Sequence, residues 1–160
     1  MYEYGVEMTN EHLTKLFVKR EIDFDLTIKK FSDIAKVKDL LSGVYHTNKL
    51  AYEEAYIFVV NGSGRVFGVI VANACNLENT KIDVRMLLMF LSLTAAKLFF
   101  IVHNHPEKGD YCPSKSDFDV TDAMEKVGIM FEVPFLGSYI INADSFIKIE
   151  REEDCDEWED

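Results

Sequence analysis

Five consecutive apolar residues, Leu98-Phe99-Phe100-Ile101-Val102, run directly into His103-Asn104-His105-Pro106. A strand that is apolar on both faces cannot lie with one side in water. It needs a neighbour on each edge and cover on each face. This run therefore predicts a central strand in a sheet with helices packed against it. Pro106, which has no N–H for a ladder, marks where the strand stops.

The two histidines sit at i and i+2 on that extended backbone, so both imidazoles project to the same side. After the polar stretch from Glu107 to Pro113, Ser114 has the character of a helix N-cap and Asp117 falls in the first turn. His103, His105 and Asp117 thus offer two neutral nitrogens and one carboxylate. A fourth tetrahedral position is left for water, the arrangement of a catalytic rather than a structural zinc.

The other elements follow from periodicity and punctuation. Asn10 to Lys19 predicts a short helix with Leu13, Leu16 and Phe17 on one face, and Ile22, Phe24, Leu26 and Ile28 alternate as in a half-buried strand. Ser32 reads as the cap of a helix reaching about Tyr45. Tyr56–Val60 and Val66–Ala72, joined by Asn61-Gly62-Ser63-Gly64, predict a hairpin. Asp83 caps a helix carrying Met86, Leu87, Phe90, Leu91 and Leu93. A further helix runs from Ser114 to Val127 and stops at Gly128, with short strands expected at Ile129–Val133 and Tyr139–Ile141.

At 160 residues, 48% hydrophobic and 28% charged, the chain is long enough for one domain with a sizeable core. The net charge is −11, and the stretch Glu150 to Asp160, with eight acids and one arginine, carries −7 of it. Neither part offers the basic patch of a nucleic-acid surface. The acidic tail predicts disorder, with Trp158 within it as either a docking contact or an exposed ring. Cys75, Cys112 and Cys155 show no C-x-x-C spacing, which points to a reducing compartment. No secretory leader is evident. The apolar stretch Met86–Val102 is interrupted by Lys97, Ser and Thr, so a soluble cytoplasmic protein without a membrane span is expected.

His103-Asn104-His105-Pro106 followed by Pro113-Ser114 and Asp117 resembles the metal motif of the JAMM (JAB/MPN) metalloproteases, in their RadC-like bacterial branch. The resemblance covers roughly Glu53 to Phe146. It implies a single-domain JAB/MPN-like fold, α/β of the α+β type, with a mixed sheet packed by helices and related to the cytidine-deaminase-like fold. The implied division is an N-terminal strand and helix segment over residues 1–50, a metalloprotease core over 51–148 and the acidic tail over 149–160. Eleven residues separate His105 from Asp117, one more than usual in the family, and the loop near Glu107-Lys108 absorbs the difference. A nucleobase deaminase is set aside. It would need H-x-E and P-C-x-x-C, where this chain has H-x-H and Cys112-Pro113 in the reverse order.

A hydrolase of this kind needs a carboxylate to carry protons. Glu53 and Glu54 both precede the first hairpin strand, and neighbouring strand residues face opposite ways, so only one can reach the metal. The family's glutamate lies eight residues before the Asp or Asn that opens the hairpin; counted from Asn61, that is Glu53. The resemblance then implies a zinc hydrolase in which His103, His105 and Asp117 hold Zn2+. Glu53 relays protons, and Ser114 donates a hydrogen bond to the developing oxyanion. The substrate would be an amide or isopeptide bond in a peptide or ubiquitin-like protein. Two stretches depart from the family pattern: Gly137-Ser138, where Asp-His is usual, and Asn73-Ala74-Cys75-Asn76 after the second hairpin strand. The acidic tail and the altered Gly137-Ser138 pair suit an alternative, a catalytically silent JAMM-like scaffold that binds a partner, with the metal lost or purely structural. Cys112 reads as a partly buried small side chain, ahead of a thiolate ligand near the loop.

Overall fold

The computed structural model describes residues 1–11, 14–73, 84–106 and 112–150. Among them, eight strands form one mixed sheet. The strands are β1 (Tyr2–Met8), β2 (Thr14–Glu21), β3 (Leu26–Thr27), β4 (Glu54–Val60), β5 (Arg65–Asn73), β6 (Leu98–Asn104), β7 (Phe135–Ile141) and β8 (Phe146–Lys148). The order across the sheet is β2-β1-β5-β4-β6-β7-β8, with β3 also paired to β5. The pairs β1/β5 and β6/β7 are parallel and the others antiparallel. A parallel pair needs a crossover, and α3 (Lys115–Phe131) provides it between β6 and β7.

The apolar β6 lies inside the sheet, as its composition requires. Val60, Phe58, Tyr56, Phe100 and Val102 face a core layer built with Ile34 and with Val37, Leu40 and Leu41 of α1 (Val37–Val44). The alternate residues Ala55, Ile57, Val59, Phe99 and Ile101 face α2 (Val84–Thr94) and α3 through Leu87, Phe90, Leu91, Met124 and Val127. Every side chain from Ala55 to Val60 is fully buried. The hairpin turn is closed by Asn61, whose Oδ1 accepts from the N–H of Ser63 and of Arg65 at 3.0 Å each. Gly64 takes a φ of +82° there, and a Cβ would stand 2.6 Å from the Ile28 carbonyl oxygen.

Several local expectations give way to long-range pairing. The stretch from Asn10 to Lys19 does not form a helix in its described part, because β2 finds a full antiparallel partner in β1 from Glu21 back to Thr14. The Phe17 ring lies over Gly5, where a Cβ would be 2.6 Å from its Cζ. Of the alternating run Ile22 to Ile28, only Leu26 and Thr27 pair with β5; Ile22 is buried without joining a strand. Ser32 does not cap its helix. A 3-10 turn over Phe31–Lys36 leads into α1, and Asp33 Oδ2 ties its start by accepting from the N–H groups of Lys29 at 3.0 Å and Lys30 at 3.1 Å.

Gly128 does not end α3. The helix continues to Phe131 and closes with Glu132 at φ 54°, so Ile129–Val133 is not a strand. Gly128 instead admits the returning chain, since a Cβ would meet the Val133 oxygen at 2.9 Å. Leu93, expected on the buried face of α2, is 61% exposed. The expected cap Asp83, the loop residues Glu107-Lys108 and the tail with Trp158 lie outside the described residues. No helix among the described residues is long and apolar enough to cross a membrane.

Candidate metal centre

The site forms where β6 ends and α3 begins. His103 is the partner of Ala55 across the antiparallel β4/β6 ladder and of Ile140 across the parallel β6/β7 ladder. His105 lies just past the strand, yet its N–H still reaches the Ile141 carbonyl at 3.0 Å, which keeps the extended spacing through the second histidine. Both rings consequently face the α2/α3 side. Their Nε2 atoms stand 3.0 Å apart, and the two side chains are buried.

Asp117 arrives from the other direction. Ser114 is the N-cap of α3 and forms a reciprocal box with it: the Asp117 N–H donates to Ser114 Oγ at 3.3 Å. The Ser114 N–H and hydroxyl both donate to Asp117 Oδ2 at 2.7 Å. This leaves Oδ1 turned to His103 Nε2 at 3.3 Å, with His105 Nε2 3.8 Å from Oδ2. The sequence reading of a helix-start carboxylate facing two strand histidines thus describes the local geometry.

Electrostatics favours metal-ready protonation. Burial pushes the His103 imidazole below its usual value, and His105 adds to this, against the opposing pull of Asp117 and Glu53. A neutral imidazole is the form that ligates. Burial opposes ionisation of Asp117, but the His105 and His103 rings and the two Ser114 donors outweigh it and hold the carboxyl at about 2. One ligand atom from each residue lies within 4.8 Å of the others. Ligands at zinc distances around a tetrahedral ion stand roughly 3.3–3.6 Å apart. The two Nε2 atoms, 3.0 Å apart, fall just short of that span, and Asp117 comes to 3.3 Å of His103 through Oδ1 and to 3.8 Å of His105 through Oδ2. Two buried nitrogens aimed at each other can share only one proton between them, whereas one cation satisfies both lone pairs. The donor set therefore fits a divalent metal. Cys112 is exposed and is not among these three.

Glu53 and Glu54 part company at the start of β4. Glu53 has the parity of Ala55, and its Oε1 lies 3.9 Å from His105 Nε2, with the side chain 36% exposed. Glu54 turns to the other face, where its Oε2 accepts from the Tyr56 hydroxyl at 2.5 Å. The departure at Gly137-Ser138 borders the same site. Ser138 is buried and, with Ala55, Ile101, Val120 and Ile149, lines a small cleft against His103 and Asp117. The Thr121 hydroxyl is 2.8 Å from both Ser138 Oγ and the Asp117 carbonyl oxygen. Of the other departure, Asn73 ends β5 and 74–76 lie outside the described residues.

Periodicity did not single out Asn104, Thr121 or Ile149. For Asn104 a signal was present: between two same-side histidines its side chain must point to the opposite, apolar face, and a buried amide there needs partners. It has them in the Glu54 N–H, which donates to Oδ1 at 2.7 Å, and the Tyr52 carbonyl, which accepts from Nδ2 at 2.9 Å.

An open mixed sheet packed by helices, with a His-His-Asp cluster at a strand-to-helix junction, defines a JAB-type metal-site domain. The family model described as "RadC-like JAB domain" matches residues 31–154. The chain belongs to that family. It is 27% identical over 93 residues to a UPF0758 protein of Flavobacterium johnsoniae, and 25% identical over 100 residues to a UPF0758 protein of Coprothermobacter proteolyticus. These matches cover 58% and 62% of this chain, and 40% and 42% of those proteins, so the chain spans about two fifths of their length.

Proposed function

We propose that this protein is a zinc-dependent hydrolase of amide or isopeptide bonds, acting in the cytoplasm on a peptide or ubiquitin-like protein. The observation that carries this reading is the convergence of His103, His105 and Asp117 with Glu53 Oε1 standing 3.9 Å from His105 Nε2. A bound zinc ion would supply Lewis acidity and a water acidified toward a pKa of ~7. His103, His105 and Asp117 would hold it. Glu53, partly exposed at the mouth of the site, would take a proton from the attacking water and hand it to the leaving amine. Ser114 orients Asp117 in the resting geometry. For it to serve the developing oxyanion, its hydroxyl would rotate from Asp117 Oδ2 to the substrate oxygen.

The test combines metal content with turnover. Protein purified without chelator should carry one divalent metal per chain, and His103→Ala should carry far less. A panel of lysine-isopeptide and peptidyl-aminocoumarin substrates should include one that is cleaved by wild type and spared after chelation. Equal metal in wild type and His103→Ala would sink the site. Stoichiometric metal with no cleavage across the panel would favour the silent scaffold.

A further inference from the structure

We infer that Asn104 is the positioning residue for Glu53: its carboxamide clamps the two peptide groups on either side of Glu53 and so sets where that carboxylate stands beside the metal ligands. The inference rests on the proton-relay role proposed for Glu53.

The β4/β6 ladder runs as far as the pair Ala55 and His103. One residue further, where Glu54 comes opposite Asn104, a side chain takes over. Asn104 Oδ1 accepts the Glu54 N–H at 2.7 Å, and Asn104 Nδ2 donates to the Tyr52 carbonyl at 2.9 Å. The Tyr52 carbonyl belongs to the peptide that precedes Glu53, and the Glu54 N–H to the peptide that follows it. With both flanking peptide planes anchored, φ and ψ of Glu53 are set, because a residue has only those two soft backbone dihedrals. What remains is side-chain rotation. Burial restrains that weakly, since the Glu53 side chain is 36% exposed.

The residue type follows from the task. The clamp needs one acceptor and one donor on a single planar group, which a carboxamide has and a carboxylate lacks. The amide orientation is fixed by its partners, since oxygen faces an N–H and nitrogen faces a carbonyl. Asn104 is 1% exposed, so losing either partner would leave a buried polar atom unpaired. Its strand neighbours His103 and His105 point to the other face. The clamp therefore reaches the proton carrier without touching the three ligands.

Cobalt(II) substitution gives a readout independent of any substrate. The variants are Asn104→Asp, which keeps the acceptor and loses the donor, Asn104→Ala, which adds no charge, Glu53→Gln, and each Asn104 variant combined with Glu53→Gln. The expected result has three parts. The Asn104 variants bind cobalt within about threefold of wild type, because the roughly 10–100-fold losses belong to groups that contact a ligand side chain, and the Asn104 carboxamide contacts only the Glu54 N–H and the Tyr52 carbonyl. The pH midpoint of the cobalt visible absorption moves in the same direction as in Glu53→Gln. Each double variant matches Glu53→Gln alone, because the clamp acts only through that side chain. A wild-type midpoint in both Asn104 variants, or a displacement that persists in the Glu53→Gln background, overturns the positioning role while the proposed role of Glu53 stands. A tenfold or greater loss of cobalt affinity in both Asn104 variants also overturns it, since Asn104 would then act on the ligands. If Glu53→Gln itself leaves the midpoint unmoved, Glu53 is not the proton carrier, and both the proposed function and this inference fall.

Discussion

Glu53 Oε1 stands 3.9 Å from His105 Nε2, while the carboxylate of the next residue, Glu54, is committed to Tyr56 on the opposite face of the sheet. Removing the Glu53 charge should therefore spare the metal and the fold but lower turnover by ~10²–10⁴-fold, the usual worth of a general acid–base group. Glu54→Gln should leave turnover nearly unchanged and instead weaken stability by about 1–2 kcal/mol through the buried tyrosine contact. Rates on any cleaved amide, set beside melting curves of both variants, separate the two roles. Loss of turnover in Glu54→Gln with none in Glu53→Gln would reverse the assignment.

Ser114 gives a second separation. Its hydroxyl and N–H both donate to Asp117 Oδ2, and its oxygen caps α3. Ser114→Ala should lower metal affinity by roughly 10–100-fold, as loss of a group orienting a ligand does. It should also cost about 1 kcal/mol of stability as a lost cap. Competition against a chelator measures the first and urea unfolding the second. Unchanged affinity with a fall in kcat would assign the hydroxyl to the substrate instead.

A pH effect is expected far from the metal site. Glu3 is 1% exposed and accepts from Lys19 Nζ at 2.7 Å, Arg20 Nε at 2.6 Å and the Tyr45 hydroxyl at 2.9 Å. Burial by itself would raise its pKa, but the three donors outweigh it and hold the carboxyl below its ordinary value of 4.5. A depressed folded value stabilises the protein above the unfolded one and is lost as pH falls through the folded one. Lys19 and Arg20 are about half exposed, which limits the worth of the cluster. Glu3→Gln should cost about 1–3 kcal/mol at pH 7. The gap to wild type should narrow as pH drops below 4.5. Denaturant midpoints at several pH values test this; a gap that widens in acid would refute it.

Beyond Lys148 the chain still contributes to the core. Ile149 is buried, its N–H donates to the Ser138 carbonyl at 2.9 Å, and its side chain lines the cleft beside His103 and Asp117. Truncation after Glu150 removes mostly like charges and should shift Tm by no more than a few degrees. Truncation after Lys148 should cost about 2–3 kcal/mol more, the worth of one buried isoleucine. Equal melting temperatures for the two truncations would show that Ile149 contributes nothing to the fold.

The sequence alone determined the elements whose pattern is local. Apolar residues on both faces of Leu98–Val102 required an interior strand. H-x-H on an extended backbone required two imidazoles on one side, and S-x-x-D required a carboxylate at a helix start. Asn61 to Gly64 specified a turn through its own hydrogen bonds and one positive φ. Contacts between distant segments decided the rest. The stretch before Lys19 became a strand because β1 offered a complete ladder, and α3 passed through Gly128 because the space there was needed by the returning chain. Asn104 acquired a partner at Tyr52 and another at Glu54 only when the β4/β6 register brought fifty residues of intervening chain back to it. Side-chain spacing encodes which way a residue points from its own strand. Which groups meet it there depends on strand order and register, set jointly by the packing of both faces of the sheet.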